Sequence, residues 1–169
     1  MRHFFDFYWQ IFSIMIFDDL DKIDKRILNA LQKDSSLSNN QLADLVGLSP
    51  SPCLRRVRIL EDQGFIKGYS ARLNAEKLGL HLTLFVRVWL KSQTEDVVNH
   101  FSNSIKDLDE VQECYLMVGD CDFVLKVVVK DLADYRRFQV QHLTHIEGVS
   151  NIKTEVPVQT IKATGKLPV

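Results

Sequence analysis

Cysteine is scarce in this chain and is not arranged as C-x-x-C: Cys53, Cys114 and Cys121 are all there are. An odd, scattered set supplies neither a disulfide framework nor a zinc site, so reduced thiols in a cytoplasmic protein are expected. A long hydrophobic run is also missing. The aromatic-rich stretch Met1 to Phe17 is interrupted by Asp6, Gln10 and Ser13, and it falls short of the roughly 20 apolar residues that span a bilayer. It also lacks the clean apolar core and small-residue cleavage site of a secretory signal. No membrane association is expected. The chain has no phosphate-binding loop, dinucleotide fingerprint, nucleophile elbow or H-E-x-x-H, so catalysis has no candidate and no cofactor is implied. His142 and His145 stand three apart on an expected helix, but no third ligand has suitable spacing, and no metal is expected. Nor does either sign of charge dominate, since the net charge is −1.

That near-neutral total hides a local excess. Residues 50–72 carry five Arg and Lys against two Asp and Glu, a net +3, and the remainder sums to −4. A basic footprint confined to one segment suits a polyanion met by one surface. The segment begins with a bounded helix. Ser49 stands at an N-cap position, Pro50 at the first helical position where its missing N–H costs nothing, and Gly64 just past the last turn. At 100° per residue Cys53, Val57 and Leu60 share one face, while Ser51, Arg55, Arg58 and Asp62 lie opposite, with Pro52, Arg56 and Ile59 beside them.

Upstream, Ser38 and Gln41 read as a capping box ahead of Leu42, Leu45 and Val46. Gly47 to Ser49 then makes the short glycine-containing break of a helix-turn-helix. Asp18 to Lys33 supplies a third helix through Ile23, Ile27, Leu28 and Leu31. In such a bundle the helix over 49–63 is the one offered to a major groove. A charge run is usually only a solvated face. Here the capped pair in front, and the uncrowded N-terminus at Ser51 and Pro52, favour contact with a phosphate or a base edge. We assign Arg55 and Arg58 to groove contacts, Arg56 and Lys67 to backbone phosphate, and Ser51 to either. Ser49 and Pro52 complete the expected DNA-binding set. Gly64 to Leu73 alternates apolar and polar residues and is expected to form a short strand or hairpin.

The composition, 46% hydrophobic and 25% charged over 169 residues, fits a soluble chain of one ordinary domain or two small ones. We expect an extension over 1–17, either a translational extension ahead of Met15 or a poorly ordered tail, with a surface-binding amphipathic segment as the alternative. A helix-turn-helix domain is expected over 18–73, a polar linker over 74–80 and a second domain over 81–169. In the second domain Leu82 to Leu90 reads as a strand, Thr94 caps a helix to about Lys106, and Val111 to Val118 and Phe123 to Val129 flank a turn. A helix then runs from Asp131 or Ala133 to His145, and a last strand from Val149 to Ile161 contains Pro157. The order βαββαβ is that of a ferredoxin-like domain, so the fold class is α+β. Both helices cover one sheet face. Phe85, Trp89, Tyr115 and Val127 cannot all point toward them under period-2 alternation, and an apolar open face implies self-association into at least a homodimer.

Four stretches carry a resemblance to a known family: LDKIDKRILNALQKD at 20–34, LVGLSPSPCLRRV at 45–57, LEDQGFI at 60–66 and VGDCDF at 118–123. Together they resemble the leucine-responsive/asparagine-responsive (Lrp/AsnC) transcription regulators over residues 18–169. The resemblance implies a winged-type helix-turn-helix, a dimerising α/β domain, assembly of dimers into octamers or related discs, and an amino-acid effector held where dimers meet. It places the effector at Gly119, Asp120, Asp122 and Phe123, with Phe123 lacking the hydroxyl of the more usual tyrosine. Gln141 and Thr144 are expected to line the same pocket. A Gly-Asp turn can supply a carboxylate for an ammonium and free amides for a carboxylate, but the same residues suit any hairpin. An exposed, oxidisable Cys121 in that turn is an alternative way of sensing. The partners implied are double-stranded DNA and an amino acid. The competing reading is an oligomeric small-molecule-binding protein or enzyme regulatory subunit that does not bind DNA.

Overall fold

A computed structural model describes residues 20–169. The expected extension over 1–17 and the first residues of the helix placed from Asp18 lie outside the described residues. Contacts divide the chain into two compact units: one ends at Ala71 and also takes in Thr164–Val169, and the other is Arg72–Ala163.

In the first unit, helix α1 (Lys22–Lys33) starts at a reciprocal cap. Asp21 Oδ1 accepts the amides of Ile23 at 2.7 Å and Asp24 at 2.8 Å, and Asp24 Oδ2 accepts the Asp21 amide. Helix α2 (Asn39–Val46) has the expected Ser38–Gln41 capping box and ends at Gly47, whose φ of 77° is left-handed. Helix α3 (Pro50–Asp62) follows, but the Ser49 side chain makes no capping hydrogen bond. The reason is local: an N-cap hydroxyl accepts from the second or third helical amide, and Pro52 at the third has none. Asn39 Nδ2 instead ties α2 to α3 by donating to the Pro50 carbonyl at 2.8 Å. Ile27, Leu28, Leu42, Ala43, Val46, Cys53 and Leu60 form the core of this bundle.

After α3 the expected strand or hairpin does not form. Residues 65–73 belong to no strand. Among the described residues no partner strand pairs with this segment, so alternation alone gives it no ladder. It is tethered by Tyr69, whose hydroxyl donates to Glu61 Oε1 at 2.8 Å, and burial, then Glu61, pushes that phenol up to about 12. The C-terminal residues of this unit lie along α1. Gln32 bonds Leu167 both ways, its Nε2 donating to the carbonyl and its Oε1 accepting the amide at 2.6 Å.

The second unit opens with a 3-10 turn at Glu76–Leu78, closed by Gly79 at φ 77°. Strands β1 (Leu82–Leu90), β2 (Val111–Leu116), β3 (Phe123–Val129) and β4 (Val149–Glu155) form one antiparallel sheet in the order β2-β3-β1-β4. Helices α4 (Glu95–Ile105) and α5 (Leu132–Phe138) complete the ferredoxin-like order. Two expected spans are shorter in the structure. β2 stops at Leu116, because Met117 to Asp122 form the connecting loop, and β4 stops two residues before Pro157, which lies past the strand rather than inside it. The expected second helix loosens at its end, passing into a π-turn over Gln139–Leu143. Thr94 occupies the N-cap of α4 without a side-chain capping bond.

Register assigns the faces. Leu84, Val86, Val88 and Leu90 of β1 and Phe123, Leu125, Val127 and Val129 of β3 point to the helices and meet Phe101, Ile105, Tyr135, Phe138 and Leu143. Val127 thus belongs to the covered core. Phe85, Arg87, Trp89, Tyr115, Val124, Lys126 and Val128 occupy the opposite face. Charges are interleaved there, with Lys126 Nζ 2.7 Å from Glu113 and Arg87 Nε 3.3 Å from Glu155.

Candidate nucleic-acid interface and effector loop

Helix α3 divides its residues as its spacing requires. Cys53 and Leu60 are buried and Val57 packs against them, whereas Ser51, Arg55 and Arg58 are exposed. Burial pushes the Cys53 thiol up, which suits a packed side chain. Arg55 and Arg58 make no ion pair with any described residue, and Lys67, beyond the helix, is likewise exposed.

Arg56 is placed differently from the phosphate contact expected of it. Its Nη1 lies 2.7 Å from Asp21 Oδ2 and 2.8 Å from Asp24 Oδ1, on α1. The hydrogen bond it donates to Asp24, then that to Asp21, push the guanidinium pKa further above its ordinary value. The Asp21 carboxyl is held low chiefly by the Asp24 amide and also by Arg56. The helical wheel set Arg56 beside the polar face; its length lets it reach across to a neighbouring helix instead.

The expected effector residues separate into two kinds. Gly119, at φ 151°, and Asp120 lie in the exposed part, 117–120, of loop 117–122. The Asp120 carboxylate is 83% exposed with Arg87 Nη1 3.9 Å away, and Trp89 Nε1 donates to the Asp120 carbonyl. Asp122, by contrast, is buried. Its Oδ2 accepts the Leu90 amide at 2.7 Å and its Oδ1 accepts Gln93 Nε2 at 2.6 Å, so both oxygens are used inside the fold. Phe123 is buried too, with its ring centroid 4.5 Å from that of Phe101. Cys121, whose exposure the alternative of oxidative sensing requires, is buried. Gln141 on the π-turn and Thr144 just past it are exposed; Thr144 Oγ1 donates to the Val140 carbonyl, and no hydrogen bond joins either residue to loop 117–122. Sequence reasoning missed Gln93 and Arg87, which hold the loop from β1 and its following turn. Among the described residues no three His, Cys, Asp or Glu come together to hold a metal ion, and no helix is long and apolar enough to cross a membrane.

A capped helix pair presenting arginines that pair with no described residue, joined to a ferredoxin-like unit, defines a transcription regulator with separate DNA-binding and ligand-binding parts. Residues 20–67 match the winged helix-turn-helix DNA-binding family, and residues 83–167 match the Lrp/AsnC ligand binding domain. The chain belongs to the Lrp/AsnC family of DNA-binding transcription regulators. It is similar to the leucine-responsive regulatory proteins of Klebsiella pneumoniae and Escherichia coli, each 45% identical over 149 residues, 88% of this chain and 91% of theirs. A transcriptional regulator of Neisseria meningitidis, solved as a complex with L-Met, is 36% identical with a TM-score of 0.85, over 88% of this chain and 96% of that one. An AsnC family regulator of Agrobacterium tumefaciens is 36% identical with a TM-score of 0.84, covering 88% and 97%.

Proposed function

We propose that this regulator reads duplex DNA with Arg55 and Arg58 of α3 in the major groove, and that Ser51 and Lys67 hold the sugar-phosphate backbone. Ser49 and Pro52 shape the helix N-terminus that approaches the duplex. The observation that carries this reading is the division of α3 into a buried Cys53–Leu60 face and an exposed face with two guanidinium groups that pair with no other described residue. Such groups can donate in parallel to a guanine edge or a phosphate. The protein acts by binding and performs no bond chemistry, in the cytoplasm where its target DNA lies. The salt dependence of binding to promoter DNA tests this. A regulator loses affinity steeply as salt rises, because phosphate contacts release counterions, whereas a metabolite-binding subunit without DNA function yields no complex at any salt.

The second unit takes an amino acid as effector. Support comes from the Neisseria meningitidis relative solved with L-Met and from the leucine-responsive relatives. In this chain the exposed Asp120 carboxylate suits an ammonium, and Arg87 with the loop amides at Gly119 suits a carboxylate. Asp122 and Phe123 support that loop from within, and Gln141 and Thr144 are further polar groups for the same ligand. The open sheet face, with Phe85, Trp89, Tyr115, Val124 and Val128, pairs with a second copy, and dimers assemble further to an octamer or similar disc. Sedimentation at micromolar concentration that shows only monomer rejects this assembly.

A further inference from the structure

We infer that Arg56 is a positioning residue of the DNA-reading helix: its clamp on Asp21 and Asp24 fixes the attitude of α3 and thereby sets how well the protein tells its own site from other duplexes. The inference rests on the DNA-binding reading above. Three observations carry it. One nitrogen of Arg56 contacts both carboxylates, at 2.7 and 2.8 Å. Those carboxylates belong to the reciprocal cap that starts α1, where Asp21 Oδ1 accepts two amides while Oδ2 receives Arg56, so neither acid is free to swing. Finally, α1 packs less against α3 than against α2, so a polar link there supplies orientation that apolar contact does not.

The geometry matters because base-edge recognition requires several donors to arrive together. Arg55 precedes Arg56 and Arg58 follows it by two positions, on the adjoining face of the helix. A rotation of α3 about its axis displaces both groove arginines at once, while a loose electrostatic contact with phosphates tolerates the same rotation. The clamp therefore acts on discrimination more than on general affinity. It also offsets one of the two negative charges beside the reading helix.

A phosphate role for Arg56 predicts the opposite response to loss of the acids, which makes the two separable. The full chain is measured by fluorescence anisotropy on a duplex selected by the wild-type protein from a random pool, and on a random-sequence duplex, across a salt series. The variants are Arg56→Gln, Asp24→Asn, and Asp21→Asn, which retains a capping oxygen. Under the positioning role Arg56→Gln and Asp24→Asn both lower the ratio of selected to random affinity by about tenfold, the scale of a one-contact coupling. The salt slope of the selected complex stays within a few tenths of wild type. If Arg56 instead touches a phosphate, Arg56→Gln reduces the slope by about 0.9 and Asp24→Asn, by freeing the arginine, tightens binding; that pair of results overturns the inference. Equal losses on both duplexes, tracking a lowered thermal midpoint, mean a merely structural ion pair and also overturn it. So do variants indistinguishable from wild type. A wild-type chain that binds neither duplex removes the proposed function itself, a result distinct from all of these.

Discussion

Asp122 closes the end of β1: its Oδ2 accepts the Leu90 amide at 2.7 Å inside the fold, while the same residue donates its own amide to the Val88 carbonyl. Removing the carboxylate leaves the Leu90 N–H without an acceptor where water does not reach. Asp122→Ala is therefore expected to destabilise the second unit by about 1–3 kcal/mol, read as a lower urea midpoint with an unchanged slope. An Asp122→Ala protein as stable as wild type contradicts this account. In effector titrations that variant confounds folding with binding, and Asp120→Asn is the better probe. Asp120→Asn keeps the urea midpoint and weakens amino-acid binding measured by calorimetry.

Arg55 and Lys67 are expected to fail in different ways. Arg55→Ala lowers affinity for the selected sequence by about 1–3 kcal/mol and relaxes preference at one base step. Lys67→Ala weakens every sequence alike and reduces the salt slope by about 0.9. Competition binding against single-base variants of the site distinguishes these, and equal losses on all sequences for both variants refute the division.

Gly148 turns the chain into β4 at φ 92°, and a Cβ added there would sit 2.7 Å from Val97 Cγ1. A β-branched neighbour has one favoured rotamer and yields little. Gly148→Ala is expected to cost about 1–3 kcal/mol through backbone strain and overpacking. Gly119→Ala, at φ 151° with open space around it, meets no such neighbour, so in paired thermal melts Gly148→Ala shows the larger loss.

Acid weakens the fold through its surface carboxylates. Lys126, then Tyr115, hold the Glu113 carboxyl below its ordinary value of 4.5. The Lys130 amide, and Arg137 after it, hold Asp134 below 3.8. A group with a depressed folded pKa contributes stability above its unfolded pKa and loses it as pH falls through the folded value. The stability difference between wild type and Glu113→Gln is thus present at neutral pH, shrinks as pH drops below 4.5, and vanishes under the lowered folded value. Denaturant midpoints measured from neutral pH down to about 2.5 follow that course, and a gap that widens with acid rules out the assignment.

The parts legible in the sequence are those set by local chemistry. The Ser38–Gln41 box, the glycine break at Gly47 and the buried Cys53, Val57 and Leu60 stripe follow from neighbours within a turn or two. β1 and β3 follow from alternation, and the phase of β3 also held the answer for Phe123. Lys126 facing outward sends Val124 and Val128 outward with it, and Phe123 inward. What was not legible depends on distant partners. Arg56 finds acids on a helix more than thirty residues earlier in the chain, and Asp122 finds an amide at the end of β1. Periodicity says which face a residue shares, not what meets it there. The segment after α3 has a strand's alternation without a strand's partner, which is why the expected hairpin is absent.

The segment Thr164–Val169, held to α1 through Gln32, also gives the chain an order of manufacture. A ribosome releases α1, α2 and α3 early, and their contacts are nearly all local, so that bundle can form while the sheet is still being translated. Its last piece, however, emerges only after β4. The nascent head is therefore completed only after the sheet unit has been made, and a chain lacking residues 164–169 carries a head missing part of its cover.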